Sequence, residues 1–161
     1  IQRSKKDPDS NIEKILDLGF VGEPDEINIQ ALEVFKESDM IPVIAPIGFG
    51  PNGETFNINA DAAAGAIASA MGARRFLLLT DVAGVLDASG KLIENIYSKE
   101  AAKLIKDGTI TGGMIPKVTT CLKAVDDGVN AAVIMDGRVP HAMLLELFTD
   151  QGIGTLIQRK Y

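Results

Sequence analysis

Histidine, cysteine and tryptophan are nearly missing from this chain: it has one histidine, one cysteine and no tryptophan in 161 residues. A lone cysteine, Cys121, excludes an internal disulfide framework and a thiolate metal cluster. A lone histidine, His141, excludes an H-x-x-x-H zinc pair and has no obvious serine or cysteine partner for nucleophilic catalysis. No apolar run reaches the roughly 18 residues of a membrane span, and no secretory leader is present, so the expectation is a soluble, cytoplasmic protein with no membrane contact. Positive charge is also scarce. The net charge is −6, which disfavours a phosphate-tracking surface for nucleic acid and requires any nucleotide site to place its cations locally. The P-loop pattern G-x-x-x-x-G-K-[ST] is absent. The chain opens on Ile1 rather than methionine, so a fragment or processed product is expected.

What is present is the balance of a globular domain, 46% apolar and 24% charged residues, in a length that can bury one core. Residues 1–28 are polar and turn-rich and read as a hairpin or extended arm, followed by a short helix in "IQALEVFKES". "IPVIAPI", "RRFLLLTD" and "NAAVIMD" are compact apolar runs that read as buried strands, and "GTLIQ" as a last short strand. Between them, "AAAGAIASAMGA", "SKEAAKLIKDG", "IPKVTTCLKAVDDG" and "PHAMLLELFT" read as helices, the middle two stopped by Gly108 and Gly128. Strands alternating with helices predict an α/β fold with an open, mainly parallel sheet flanked by helices. Ligands of such sheets sit beyond the carboxyl ends of the strands, which points to Thr80 and Asp81 and to the segment from Met135 to Gly137.

Gly48, Gly50 and Gly53 spell G-x-G-x-x-G, but no helix opens at the last glycine. "ETFNIN" instead alternates like a strand after the turn residues Pro51, Asn52 and Gly53, so a hairpin is expected and a dinucleotide loop is not. In "NINAD", Asn57, Asn59 and Asp61 recur at the two-residue spacing that shares a strand face. That spacing alone suits either ligand-binding polar groups or a hairpin end in which Asp61 caps the next helix. In "GTITGGMIPK", Pro116 suits a first helical position and puts Lys117 in the first turn, where a cation opposes the helix dipole by roughly 0.3–1 kcal/mol. An anion held between the lysine and free backbone N–H groups would reconcile that placement; a solvated lysine is the bland alternative. In "LLLTDVAGVLD" a buried strand opens into a glycine-containing loop, a fitting nucleotide-pocket wall; Asp87 to Gly90 read as a plain turn.

Taken in order, "IPVIAPIG", "NINAD", "LLLTDVAGVLD" and "GGMIPK" resemble the amino-acid kinase family over nearly the whole chain. The resemblance is nearest to members that transfer the γ-phosphoryl group of ATP to the side-chain carboxylate of N-acetyl-L-glutamate in arginine biosynthesis. It implies an ATP-binding domain over residues 41–161, with residues 1–40 ending the half that precedes it. It further implies that Asn57 and Asn59 bind acetylglutamate, that Asp61 orients catalytic lysines, and that Lys117 neutralises charge on the migrating phosphoryl group. Asp81, Val82, Ala83, Gly84, Val85 and Leu86 would hold the adenosine part of ATP, with Thr109, Ile110 and Thr111 closing the pocket and Mg²⁺ arriving on the phosphates.

The family's second catalytic lysine and its two glycine-rich loops have no counterpart before Ile41, so these residues by themselves are expected to bind nucleotide and transfer phosphate poorly. "PHAMLLELFTDQGIGTLI" is similar to the tail of arginine-inhibited, typically hexameric members, with Glu146 and Gly152 in the feedback site. An ordinary helix, glycine stop and edge strand would look the same. A sibling kinase for glutamate, aspartate, carbamate or uridylate, and a non-catalytic nucleotide or arginine sensor, are the other readings.

Overall fold

The computed structural model describes residues 2–6, 13–17, 19–150 and 152–159. The chain divides into two compact units, Ile1–Ala63 and Ala64–Tyr161.

In the first unit, β1 (Gln2–Lys6) and β2 (Glu13–Asp17) form the expected antiparallel hairpin. A second small sheet has the order β3-β5-β4 and is built from β3 (Val21–Gly22), β4 (Ile47–Phe49) and β5 (Thr55–Ile58). β3 runs parallel to β5, and β4 antiparallel to it. The glycine-rich stretch is the tip of that β4–β5 hairpin, as its turn chemistry requires, with Gly53 N donating to Gly50 O and Gly50 N to Glu54 O. α1 (Ile29–Glu33) is shorter than its apolar spacing suggests and is capped by Asn28.

Residues 41–47 overturn an expectation. Only Ile47 belongs to a strand; Ile41 and Val43 are 89% and 96% exposed in irregular backbone. Pro42 and Pro46 each remove a ladder donor, and apolar content alone does not make a strand pair.

The division between units falls within α2 (Ala60–Ala70). In the second unit, β6 (Arg75–Thr80), β7 (Asn95–Tyr97), β8 (Ala131–Asp136) and β9 (Thr155–Gln158) form one sheet in the order β6-β8-β9-β7. The pairs β6–β8 and β7–β9 are parallel, while β8–β9 is antiparallel, so the sheet is mainly parallel with one reversal. The short β7 has too few residues for its pattern to stand out in the sequence.

α3 (Ser98–Lys106), α4 (Met114–Asp126) and α5 (Ala142–Phe148) complete the unit. β8 explains its own unbroken apolar run, because both its faces are buried. Ala132 and Ile134 join Val118, Cys121, Ala124 and Val125 of α4 in one cluster, while Val133 and Met135 join Ala142 of α5 in another. Full burial of each such valine or isoleucine contributes about 1.5–3 kcal/mol. The alanine-rich α2 owes its composition to close approach: a Cβ on Gly65 would stand 2.7 Å from Thr120 Cγ2.

Candidate functional site

β6 ends at Thr80, and the chain passes straight into residues 81–86 at the carboxyl edge of the sheet. Gly84 has a φ of +146°, and a Cβ there would lie 2.6 Å from Thr155 Oγ1, so only glycine lets this loop reach the first residue of β9. The approach is used: Val85 N donates to Thr155 Oγ1 at 2.9 Å. Val85 O accepts from Ile93 N at 2.8 Å, and Leu86 bridges to Leu92. The loop is therefore anchored by its buried half, Gly84 and Val85, and presents Asp81, Val82, Ala83 and Leu86 outward. Asp87 turns back at once, accepting from Ser89 N, Ser89 Oγ and Lys91 N, which confirms a plain turn there. The Ser89 hydroxyl is the main cause of its lowered carboxyl pKa.

The neighbouring strand end is equally structured. Arg138 Nε and Nη2 grip the two carboxylate oxygens of Asp136 at 2.9 and 2.8 Å, and Arg138 N adds a third bond at 2.9 Å. The guanidinium hydrogen bonds, then the backbone one, hold Asp136 down at about 2. Arg138 is raised in turn, first by Asp136 and also by the charge of Asp81. Gly137 N donates to Thr80 O at 2.8 Å, so this turn wraps over the end of β6.

Residues 109–111 lead into α4. Asp107 accepts from Thr109 Oγ1 at 2.7 Å and from Thr109 N at 3.1 Å, and Ile110 is buried, its N–H bonded to Leu104 O. α4 starts two residues earlier than the proline suggests: Pro116 is its third residue and Lys117 its fourth. Met114 N and Ile115 N donate to Thr111 O and Gly112 O. With proline at the third position, the expected cradle of free N–H groups beside Lys117 is largely used up by the preceding turn.

Among the first-unit residues, the two-residue spacing of "NINAD" does not survive as a shared strand face. β5 stops at Ile58; Asn57 lies on it opposite Ile47 and Val21, and its side chain belongs to an exposed residue. Asn59 precedes α2, and its Oδ1 accepts from Ala62 N at 3.1 Å, so Asn59 rather than Asp61 is the cap. Asp61 is the second residue of α2, where a carboxylate is favoured by the helix dipole. Asp61 belongs to the first unit and Lys117 to the second.

Glu146 and Gly152 meet in a separate pocket of about 770 Å³ in the second unit. Glu146 is buried on α5, and its Oε2 accepts from Ile153 N at 2.9 Å. Gly152 has a φ of +59°, and a Cβ there would lie 2.9 Å from Glu146 Oε2. Glutamate and glycine are thus a matched pair: the glycine supplies both the left-handed turn and the space the carboxylate fills.

A model of the amino acid kinase family matches residues 3–136. The chain belongs to that family. The chain is 63% identical over 160 residues to an acetylglutamate kinase of Rhodospirillum centenum, covering 99% of this chain and 52% of that protein. It therefore spans about half the length of the curated relatives it matches. N-acetylglutamate synthase from Neisseria gonorrhoeae, complexed with coenzyme A and L-arginine, superposes with a TM-score of 0.84 at 27% identity, over 90% of this chain and 34% of that one. Giardia lamblia carbamate kinase bound to AMP-PNP shares the fold, with a TM-score of 0.68 at 18% identity over 99% of this chain and 52% of that one.

Three participants escaped the sequence reading. Thr155 opens an ordinary-looking strand, and nothing local marks its hydroxyl as the acceptor for a loop 70 residues away. Arg75 looks like a solvated strand start, yet its Nη1 stands 3.6 Å from Glu146 Oε1. Arg138 follows the strand-end aspartate and glycine, and that D-G-R placement on the ligand edge was the available signal.

Proposed function

We propose that this chain is the nucleotide-binding part of an acetylglutamate kinase, which transfers the γ-phosphoryl group of ATP to the side-chain carboxylate of N-acetyl-L-glutamate in arginine biosynthesis. The observation that carries the reading is the loop of residues 81–86, clamped at the carboxyl edge of β6 by the Val85–Thr155 hydrogen bond and offering an exposed, partly apolar rim to an adenosine. In this reading Asp81, Val82, Ala83, Gly84, Val85 and Leu86 hold the adenosine part of ATP, the exposed Asp81 accepting from ribose hydroxyls, and residues 109–111 close the pocket. Phosphoryl transfer needs alignment and charge stabilisation more than covalent help, so Lys117 acts by opposing the negative charge on the migrating group. Asp61 orients catalytic lysines, and Asn57 and Asn59 contribute to the acetylglutamate site. Asn59 would do so with the lone-pair and amide capacity left over from its capping bond. Mg²⁺ reaches the site on the nucleotide phosphates; among the described residues no group of three or more His, Cys, Asp or Glu side chains converges to hold it independently.

The pocket at Glu146 supports a second role, binding of arginine as a feedback inhibitor. A buried carboxylate backed by one N–H bond suits a guanidinium, and the synthase that superposes on this chain was solved with L-arginine. The working enzyme is a cytoplasmic homo-oligomer, hexameric if arginine-sensitive. Among the described residues no helix is long and apolar enough to cross a membrane.

A coupled phosphorylation assay tests the main reading, using the protein extended at its amino end to the length of its relatives. N-acetyl-L-glutamate should be phosphorylated in preference to glutamate, aspartate, carbamate or uridylate. Calorimetry on this chain should show ATP–Mg binding; arginine binding without nucleotide binding would replace the kinase with a sensor.

A further inference from the structure

The carboxylate at the heart of the Glu146 pocket already has a guanidinium beside it. Arg75, the first residue of β6, brings Nη1 to 3.6 Å from Glu146 Oε1. The arginine side chain is 42% exposed and the glutamate only 7%. That separation is an ion pair but longer than a hydrogen bond, so Arg75 compensates the charge without using the directional capacity of Oε1. Oε2, in contrast, is fixed by Ile153 N at 2.9 Å. Among the described residues, three carboxylates, Glu94, Glu146 and Asp150, line this pocket with one arginine, an excess of negative charge that favours a cationic ligand. A second guanidinium entering the 770 Å³ space would find Oε1 oriented, buried and underused.

We propose that Arg75 is a built-in occupant of the guanidinium subsite: it neutralises Glu146 while the pocket is empty, and an arriving guanidinium evicts it. The side chain is exposed enough to swing into solvent, whereas Glu146 is locked by its bond to Ile153 and by Gly152 behind it. Eviction makes apparent affinity the difference between two pairings, so Arg75 sets the ligand concentration at which the pocket fills. Without Arg75 the empty pocket would hold a buried carboxylate with no cation beside it among the described residues, a state that any guanidinium relieves. This inference rests on reading the pocket as an arginine site.

The test is calorimetry and thermal unfolding of the intact protein and its Arg75→Met variant, which keeps an apolar stem of similar length. The variant should bind L-arginine about fivefold more tightly, the scale of a partly exposed ion pair. Its unliganded Tm should fall and be restored by millimolar methylguanidinium more than that of the parent. Unchanged arginine affinity overturns the proposal, and so does lost affinity, which would make Arg75 a ligand of the bound molecule. If neither protein binds arginine, the arginine reading fails, and methylguanidinium still decides the eviction: a larger stabilisation of the variant upholds it, equal stabilisation of both overturns it.

Discussion

Replacing Thr155 by valine isolates the bond that holds the candidate nucleotide loop. The two side chains are nearly the same shape, so the change swaps one hydroxyl for one methyl at a position 0% exposed. Val85 N, on a residue 1% exposed, then loses its acceptor at 2.9 Å. Neither water nor a shift of the loop can easily replace it, because the space beside Thr155 Oγ1 is filled by Gly84, whose missing Cβ would sit 2.6 Å away. An orphaned buried N–H costs about 1–3 kcal/mol, and the added methyl returns at most about 0.8 kcal/mol of apolar burial. The expected net loss is therefore about 1–2 kcal/mol, or roughly 5- to 30-fold in the unfolding equilibrium. Urea unfolding measures the loss, and hydrogen exchange localises it: the Val85 amide should lose protection before amides of β8 do. ATP–Mg affinity should fall with it, since the loop's exposed rim is mounted on this bond. Thr155→Ser, which keeps the acceptor, should keep the Val85 protection. A Thr155→Val protein within 0.5 kcal/mol of the parent, with Val85 still protected, would refute the reasoning.

Gly152→Ala should destabilise by about 2–3 kcal/mol in denaturant unfolding, from a left-handed backbone at +59° and a methyl 2.9 Å from Glu146 Oε2; a loss under 0.5 kcal/mol would mean the turn can relax. Asp136, held at about 2, should titrate near that value by carboxyl NMR and return toward the ordinary range in Arg138→Gln. Because the folded value is depressed, its contribution to stability is complete above about pH 4, the unfolded value, and is lost as pH falls toward 2; the variant should lack that window in acid unfolding. Lys117→Ala in the amino-terminally extended protein should lower turnover by about 10²–10³ with the fold retained by circular dichroism, and near-parental turnover would remove Lys117 from the mechanism. Asn59→Ala should cost about 1 kcal/mol from the lost cap, and a larger fall in acetylglutamate affinity than in stability would show that the residue also reaches substrate.

The order of most elements was legible because their cause is local. The apolar run of β8, the helix stops at Gly108 and Gly128, and the hairpin at residues 50–53 each follow from periodicity or turn chemistry that a few neighbouring residues carry. Residues 41–47 misled because hydrophobicity is necessary for a buried strand but cannot supply the ladder donors that Pro42 and Pro46 lack. The "NINAD" spacing misled for a related reason: period two has meaning only while the strand lasts, and β5 hands over to α2 between Ile58 and Ala60. The loop of residues 81–86 and the Glu146–Gly152 pairing could be located from sequence, but not what fastens them. Thr155 and Arg75 act across long separations of the chain, where no local pattern points, whereas Arg138 grips an aspartate only two residues before it, and the D-G-R run at the strand end was its signal.

Both fastenings converge on one short stretch, and its packing decides whether the two candidate sites stand or fall together. Gly152 and Ile153 complete the Glu146 pocket, and Thr155, two residues further on, holds the candidate nucleotide loop. Between them lies Gly154, where a Cβ would meet Ile134 O at 2.4 Å and Met135 Cβ at 2.8 Å. The chain is therefore pressed against the carboxyl half of β8, the most deeply buried strand, at the residue that separates the two candidate sites. A strain introduced at Gly152 meets this rigid contact before it reaches Thr155, since close-packed interiors resist small displacements. Gly152→Ala should accordingly leave the Val85 amide protected even while it disturbs the pocket, so a failure of the arginine reading leaves the nucleotide reading intact.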